Sequence, residues 1–131
     1  MSELPVAGSL RLRVKVWIDK GGVYVLGEGL AHSLEAVRRA RSLVAAARRL
    51  GQSYRYLWGR LRAAERAWGK KLVVSELGGT GAKRSRLTPF GELMVKAYFE
   101  FHGGLERDCA ARFRRLAREL RSAAEPQPKN E

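Results

Sequence analysis

The segment formed by residues 42–88 constrains the fold of this 131-residue chain more than any other stretch. Apolar and small residues within 43–50 recur at the i, i+3, i+4, i+7 spacing of one helix face, and Gly51 suits the left-handed turn that ends a helix. A longer, basic helix is predicted for residues 54–68. Each helix is preceded by a serine, a favoured N-cap residue. The pattern therefore predicts two helices joined by a tight turn.

The residues after the second helix predict a β-hairpin. Residues 72–77 have the apolar, β-branched composition of a strand, residues 78–85 form a Gly-rich basic loop, and residues 86–87 form a short return strand. The order of helix, turn, helix and hairpin is that of a helix-turn-helix with a wing, a geometry that holds duplex DNA. The predicted fold class is α+β: a winged helix-turn-helix with an N-terminal β-hairpin and C-terminal helices.

The flanking regions predict the domain organisation. Residues 10–18 alternate between apolar and polar side chains and residues 23–26 form a second short strand, so a hairpin is expected there. Residues 30–41 have helical spacing, and Pro89 suits the first turn of a helix that Gly103 and Gly104 are expected to weaken or break. The predicted parts are a flexible N-terminus at 1–9, a winged helix-turn-helix domain at 10–102, a C-terminal helix at 103–123 and a disordered tail at 124–131.

Two sets of apolar residues are expected to form packing surfaces. An apolar stripe on the C-terminal helix packs either on its own domain or on the same helix of a second chain. The second arrangement, a homodimer, is favoured because the amphipathic helix lies at the end of a small domain, and a dimer would also supply two DNA half-sites. The stripe consists of Leu105, Cys109, Phe113, Leu116 and Leu120. The aromatic residues interpreted as core or helix-packing residues are Trp58, Trp68, Tyr98 and Phe101.

The charge balance indicates a polyanionic partner. The chain has 26 Lys and Arg residues against 13 Asp and Glu residues, a formal net charge of +13. An excess of this size favours nucleic acid or an anionic membrane surface. No apolar run approaches the roughly 18 residues that a membrane-spanning helix needs. The single cysteine excludes an intrachain disulfide, so a cytoplasmic, nucleoid-associated location is predicted.

No pattern in the sequence indicates a catalytic or cofactor site. The loop at 78–85 lacks the phosphate-binding pattern of nucleotide hydrolases, because Ala82 and Arg84 stand where Gly and Ser or Thr are needed. Glu28 and His32 could share a helix face, but further metal ligands lie far away in the sequence. We therefore expect a protein that is not an enzyme and that has no metal, no cofactor and no evident small-molecule effector.

The predicted DNA contacts lie at the start of the second helix of the motif and in the wing. Arginine pairs with guanine, hydroxyl groups and helix N-terminal amides bond to phosphates, and Gly59 lets the duplex approach the backbone. Arg60 and Arg62 are expected to follow the phosphates, as are the cations of the wing. The predicted DNA-binding residues are Ser42, Gln52, Ser53, Tyr54, Arg55, Tyr56, Gly59, Arg60, Arg62, Lys83, Arg84 and Arg86.

These residues resemble the N-terminal DNA-binding domain of the ModE family of molybdate-responsive bacterial regulators and, more distantly, the winged helix-turn-helix of LysR-type regulators. The resemblance covers about residues 10–102. It implies a winged-helix dimer whose recognition helix carries Ser53, Tyr54 and Arg55. The matching pieces are the strand pair at 10–26, Gly27-Glu28-Gly29, Leu34-Glu35-Ala36-Val37, Ser42-Leu43, Ala46-Ala47-Arg48-Arg49-Leu50-Gly51, Ser53-Tyr54-Arg55, Trp58, Leu72-Val73, Gly78-Gly79, Leu87-Thr88 and Gly91.

The chain departs from the ModE pattern in two ways. Its wing is basic at residues 82–85, where ModE-like wings are usually richer in glycine, which favours stronger and less selective binding to phosphates. Full-length ModE proteins carry C-terminal oxyanion-binding domains, for which the 131 residues leave no room. A standalone DNA-binding domain without molybdate sensing is therefore expected.

Three functions stay open from the sequence. The first is a sequence-specific transcriptional regulator, which binds one site far better than random duplex. The second is an architectural, chromatin-like protein that coats double-stranded DNA with little sequence preference and a steep salt dependence. The third is a module that docks on an acidic protein or on structured RNA and ignores duplex DNA at physiological salt.

Overall fold

The computed structural model describes residues 6–77 and 83–125. The chain divides into two compact units, one made of residues 15–100 and the other of residues 1–14 with 101–131. The strands pair into three antiparallel two-stranded sheets, β1 with β2, β3 with β4 and β5 with β6. The elements are β1 (Val6–Ala7), β2 (Leu10–Arg11), β3 (Trp17–Lys20), β4 (Val23–Gly27), α1 (Glu28–Ala40), α2 (Leu43–Leu50), α3 (Tyr54–Trp68), β5 (Val73–Leu77), β6 (Lys83–Leu87) and α4 (Pro89–Ala124).

The predicted helix-turn-helix is confirmed, and its boundaries follow from local chemistry. The Ser42 hydroxyl accepts a hydrogen bond from the Ala45 amide at 3.2 Å, and the Ser53 hydroxyl accepts one from the Tyr56 amide at 3.0 Å. Both serines thus satisfy backbone donors that the first turn of a helix leaves unpaired. Gly51 ends α2 in the left-handed conformation, with φ 67°. The short connection therefore holds α2 and α3 in contact.

The core of the larger unit lies between α1, α2, α3, the hairpin β5–β6 and the start of α4. Leu30, Leu34 and Leu57 are fully buried there, and burial of such a side chain contributes about 1.5–3 kcal/mol. Ala46 and Ala47 of α2 are also buried, so their small side chains let the helices approach each other closely. The architecture is α+β, a winged helix-turn-helix, as predicted.

The wing hairpin is anchored to the helices by its second strand. β5 and β6 pair in register from Val73 opposite Leu87 to Leu77 opposite Lys83. The Ser85 amide donates to the Arg41 carbonyl at 2.9 Å, which ties the hairpin to the end of α1. The prediction of a loop over 78–85 is wrong at its C-terminal end, because residues 83–85 belong to β6. Cross-strand pairing extends the ladder beyond the apolar residues; residues 78–82 lie outside the described part.

The predicted strand over residues 10–18 is wrong. Only Leu10–Arg11 and residues 17–18 are strand, and β2 pairs with Val6–Ala7, which lie in the segment predicted to be flexible. Gly8, with φ 63°, makes the turn between these two strands. The alternation continues through residues 10–18, but the chain passes from one compact unit to the other after residue 14. Alternation alone does not reveal such a crossing.

The predicted helix break at Gly103-Gly104 is also wrong, because α4 is continuous from Pro89 to Ala124. A glycine costs about 1 kcal/mol relative to alanine inside a helix, and neighbouring contacts offset such a cost. His102 and Glu106 face each other across the two glycines, with 3.0 Å between Nδ1 and Oε1. The predicted tail starts at the last helical residue, and residues 126–131 lie outside the described part.

The apolar stripe of the C-terminal part divides in two. Phe113 is buried within the chain, as is Ala117 one turn later. Leu116 and Leu120 are exposed. The stripe therefore serves packing within the chain at Phe113, and leaves two leucines one helical turn apart at the surface.

Two glycines of α4 give opposite stability predictions for substitution by alanine. A Cβ on Gly91 would lie 2.5 Å from the Leu72 carbonyl oxygen, so Gly91→Ala is expected to destabilise the fold by about 1–3 kcal/mol. A Cβ on Gly103 meets only the end of Arg107, at 3.5 Å, so Gly103→Ala is expected to stabilise it by about 0.5–1 kcal/mol. Urea unfolding followed by circular dichroism measures both; equal stability of Gly91→Ala and wild type would contradict the close approach.

Candidate nucleic-acid interface

The start of α3 presents polar, cationic and aromatic side chains to solvent. Tyr54, Arg55 and Tyr56 are exposed, and Tyr56 is 57% accessible. Ser53 is exposed too, although its hydroxyl already accepts the capping hydrogen bond from Tyr56. Because a hydroxyl group can accept one hydrogen bond and donate another, the O–H of Ser53 is still free to donate. The structure thus brings together four of the predicted residues at the end of the helix that a groove would meet first.

Gln52 and Ser42 are less accessible to solvent than the residues at the start of α3. The Gln52 side chain is half-buried, and its Oε1 atom is buried with no hydrogen-bond partner among the described residues. Ser42 is half-buried and its hydroxyl caps α2. Their contact with DNA stays a prediction that neither environment favours.

Gly59 and Arg60 line an open concavity beside the start of α3. The concavity has a volume of about 430 Å³, and the residues that line it are Tyr24, Arg55, Tyr56, Gly59 and Arg60. The Arg60 guanidinium stacks over the Tyr24 ring, with 5.6 Å between its carbon and the ring centre. The hairpin β3–β4 therefore adds a side chain to the face that carries Arg55.

Arg62 belongs to a network that joins α3 to the wing. Its guanidinium pairs with Glu65, a buried carboxylate. The other oxygen of Glu65 accepts hydrogen bonds from the backbone amides of Leu72 at 2.8 Å and Val73 at 3.2 Å. Arg62 also lies over the Trp58 ring, at 5.5 Å from its centre. The structure thus gives Arg62 a structural role, and its contact with phosphates stays a prediction.

The described cations of the wing are exposed on β6. Lys83 and Arg84 are accessible to solvent, and no carboxylate pairs with either of them in the part of the chain that the structure describes. Arg86 pairs with Glu76 across the hairpin at 2.9 Å, with both side chains mostly exposed. Such a surface pair contributes little stability, about 0–1 kcal/mol, so a phosphate can replace Glu76 as the partner of Arg86.

The arginines at the end of α1 are occupied differently. Glu35 accepts hydrogen bonds from Arg38 and from Arg39, both at 2.7 Å. The hydrogen bond from Arg38 lowers the pKa of the Glu35 carboxyl more than burial raises it, and Arg39 adds to the effect. The same contact raises the pKa of Arg38. This cluster neutralises part of the charge on α1.

Sequence reasoning missed two residues of this surface. Trp58, interpreted as a core residue, is 44% exposed, and Tyr24 was not singled out. Phe101 is also exposed, contrary to the same interpretation, whereas Tyr98 is buried and Trp68 packs on the core. Trp58 is three residues after Arg55 and four before Arg62, so helical spacing could have placed it on the exposed stripe.

Within residues 6–77 and 83–125, no group of three or more His, Cys, Asp or Glu residues could hold a metal ion. None of the helices in that part of the chain combines the length and the apolarity needed to cross a bilayer.

Comparison with known proteins finds similarity over the central segment. Residues 30–92 match the sequence model of the family described as bacterial regulatory helix-turn-helix protein, lysR family. The molybdenum-pterin-binding protein MopB of Rhodobacter capsulatus is 32% identical over 92 residues, which are 70% of this chain and 34% of MopB. MopA of the same organism is 25% identical over 107 residues, 82% of this chain and 38% of MopA. The chain thus spans little more than a third of the length of these curated relatives.

A solved structure resembles part of the chain. ArgP from Mycobacterium tuberculosis is 27% identical, with a TM-score of 0.49. The match covers 66% of this chain and 30% of the ArgP chain.

The Glu65 network gives a stability prediction. Glu65→Ala is expected to destabilise the fold by about 2–5 kcal/mol, because two buried amides lose their acceptor at about 1–3 kcal/mol each. Glu65→Gln keeps one acceptor oxygen and is expected to cost less. Glu76→Ala, which removes an exposed ion pair on the same hairpin, serves as the control and is expected to cost less than about 1 kcal/mol. Equal losses for Glu65→Ala and Glu76→Ala in urea unfolding would contradict the structural role of Glu65.

Proposed function

We propose that this chain, whose residues 30–92 match the model of the lysR family of bacterial regulatory helix-turn-helix proteins, acts as a transcriptional regulator that reads double-stranded DNA with the start of α3 and binds its backbone with the wing β5–β6. The observation that carries this proposal is the exposed row of Tyr54, Arg55 and Tyr56 at the start of α3, on a chain of net charge +13. We further propose a cytoplasmic location at the nucleoid and no catalytic step.

Base recognition is assigned to the exposed stripe of α3. Arg55 is exposed and has no carboxylate partner among the described residues. Two N–H groups of its guanidinium are therefore available to donate to the O6 and N7 atoms of a guanine. Trp58 offers an apolar surface one turn later, which suits a thymine methyl group. Gly59 has no atom within 4 Å of the position that a Cβ would take, so a base edge can approach the helix there.

Phosphate binding is assigned to Lys83, Arg84 and Arg86 of the wing and to Arg60 of α3. Each cation that neutralises a phosphate releases condensed counterions, so affinity is expected to fall steeply with salt. The hairpin holds the three wing cations at fixed positions relative to the helices, because the Ser85 amide donates to the Arg41 carbonyl at the end of α1 and Glu65 of α3 accepts from the amides of Leu72 and Val73.

Selection from a random duplex pool, followed by sequencing, tests this function. A regulator is expected to enrich one motif and to bind it on the order of a thousandfold more tightly than random duplex. Binding without enrichment would instead identify a DNA-coating protein. No retained duplex at low salt would leave a module that docks on an acidic protein or on RNA, and would contradict the proposal.

Substitutions in the recognition helix and in the wing are expected to affect DNA binding in different ways. Arg55→Ala is expected to cost about 1–3 kcal/mol at one base position and to relax the preference there. Lys83→Ala and Arg84→Ala are expected to weaken all sequences about equally and each to lower the slope of log affinity against log salt by about one. Fluorescence anisotropy with the selected duplex and a scrambled one distinguishes the two. Unchanged affinity and preference in Arg55→Ala would refute the assignment of α3.

A dimer formed through α4 is also proposed, supported by the exposed pair Leu116 and Leu120. The double variant Leu116→Glu, Leu120→Glu is expected to sediment as a monomer, because charge on an apolar contact costs free energy on association. Duplex binding is then expected to weaken, since two half-sites no longer act together. Arg118→Glu, also exposed on α4, is the control. A wild-type protein that sediments as a monomer at micromolar concentration would contradict the dimer.

A further inference from the structure

The concavity between the hairpin β3–β4 and α3 has a mainly apolar wall, formed by residues whose side chains also carry hydrogen-bond donors. Its lining has two guanidinium groups, Arg55 and Arg60, and two phenol hydroxyls, Tyr24 and Tyr56. Gly59 leaves the space in front of the helix open. Such a set has an excess of donors over acceptors, which is the chemistry of a site for phosphate oxygens.

Arg60 is held in one place by residues outside α3. Its guanidinium stacks on the Tyr24 ring, and its Nη2 atom lies 3.4 Å from the Tyr24 hydroxyl. The same hydroxyl lies 3.4 Å from the Leu30 amide, in the first turn of α1. A Cβ on Gly29 would lie 2.3 Å from Arg60 Nη2, so the guanidinium occupies space that only glycine leaves free. Strand β4 and helix α1 therefore both position this one cation of α3.

The charge of the concavity is not neutralised. Across residues 6–77 and 83–125, no carboxylate pairs with Arg55 or Arg60, whereas Arg62 and Arg86 each have an acidic partner. Stacking on Tyr24 restrains Arg60 without removing its charge, unlike an ion pair. A cation that is restrained before binding loses less conformational entropy when it meets an anion.

We propose that Tyr24 of the hairpin β3–β4 and Gly29 of α1 position Arg60 of α3 to bind one backbone phosphate of the duplex. This inference rests on the proposed function and assigns roles to residues outside both the recognition helix and the wing. The concavity shares Arg55 and Tyr56 with the start of α3, so a duplex docked on α3 passes across it. Tyr24 and Gly29 are positioning residues, and Arg60 makes the contact.

Variants that keep the net charge test the positioning roles. Tyr24→Ala and Gly29→Ala leave the number of cations unchanged, and each is expected to weaken all duplexes about 3- to 10-fold, because Arg60 must then be immobilised on binding. Gly29→Ala is expected to raise thermal stability slightly, since alanine favours the helix and the displaced group is the end of a flexible side chain. Val23→Ala, exposed on the same hairpin, is the matched control and is expected to bind as wild type.

A double-mutant cycle separates positioning from a general structural role. Arg60→Ala is expected to lower the salt slope by about one. Adding Tyr24→Ala to Arg60→Ala is expected to cause no further loss, because Tyr24 acts through Arg60. Additive losses in the double variant, or wild-type affinity in both Tyr24→Ala and Gly29→Ala, would overturn the inference.

The experiment distinguishes this inference from the proposed function itself. If wild-type protein retains no duplex at low salt, the proposed function fails. If wild type binds duplex and Lys83→Ala weakens it while Tyr24→Ala and Gly29→Ala bind normally, only the positioning of Arg60 fails. A melting temperature that rises with inorganic phosphate in wild type but not in Tyr24→Ala, combined with unchanged duplex affinity, would assign the concavity to a free anion and contradict the duplex contact.

Discussion

The buried carboxylate of Glu65 is the interaction on which the geometry of the interface depends. Burying a carboxylate costs several kcal/mol unless its oxygens are matched by donors. Here one oxygen accepts hydrogen bonds from the backbone amides of Leu72 and Val73, and the other accepts one from the Arg62 guanidinium. The amides lie at the entry to β5, and the carboxylate lies on α3. One side chain therefore fixes the distance between the recognition helix and the wing, which must meet the same duplex.

The distribution of acids determines which cations attract phosphate. Glu35 pairs with the arginines at the end of α1, Glu65 with Arg62 and Glu76 with Arg86. Two of these acids lie away from the start of α3, and the third, Glu76, forms only a weak exposed pair. Among the described residues, Arg55, Arg60, Lys83 and Arg84 consequently have no carboxylate partner that would compete with a phosphate. With a net charge of +13, attraction extends about one Debye length, ~8–10 Å, beyond the surface.

Features that depend on neighbouring residues were predicted correctly from the sequence, whereas features that depend on contacts between distant residues were not. Helices α2 and α3 were predicted with their caps because serine and glycine act on the adjacent backbone. The prediction of a strand over residues 10–18 was wrong because alternation of apolar and polar residues does not show which compact unit a residue joins. The prediction of a helix break at Gly103-Gly104 was wrong because helix propensity is a weak, local contribution. The role of Tyr24 depends on contact with Arg60, 36 residues later, which no local pattern encodes.

Aromatic side chains support cations in this structure in a way that carboxylates cannot. Arg60 lies over Tyr24 and Arg62 over Trp58, both at about 5.5 Å from the ring centre. A cation–π contact at an exposed site contributes about 0.5–1 kcal/mol, comparable to a surface ion pair, yet it leaves the formal charge uncompensated. A carboxylate at Tyr24 would hold Arg60 equally well and would repel the phosphate that approaches it. Tyr24 on the hairpin therefore reconciles two requirements of a DNA-binding surface at Arg60, an ordered arginine and an uncompensated positive charge, whereas Arg62 over Trp58 is paired with Glu65.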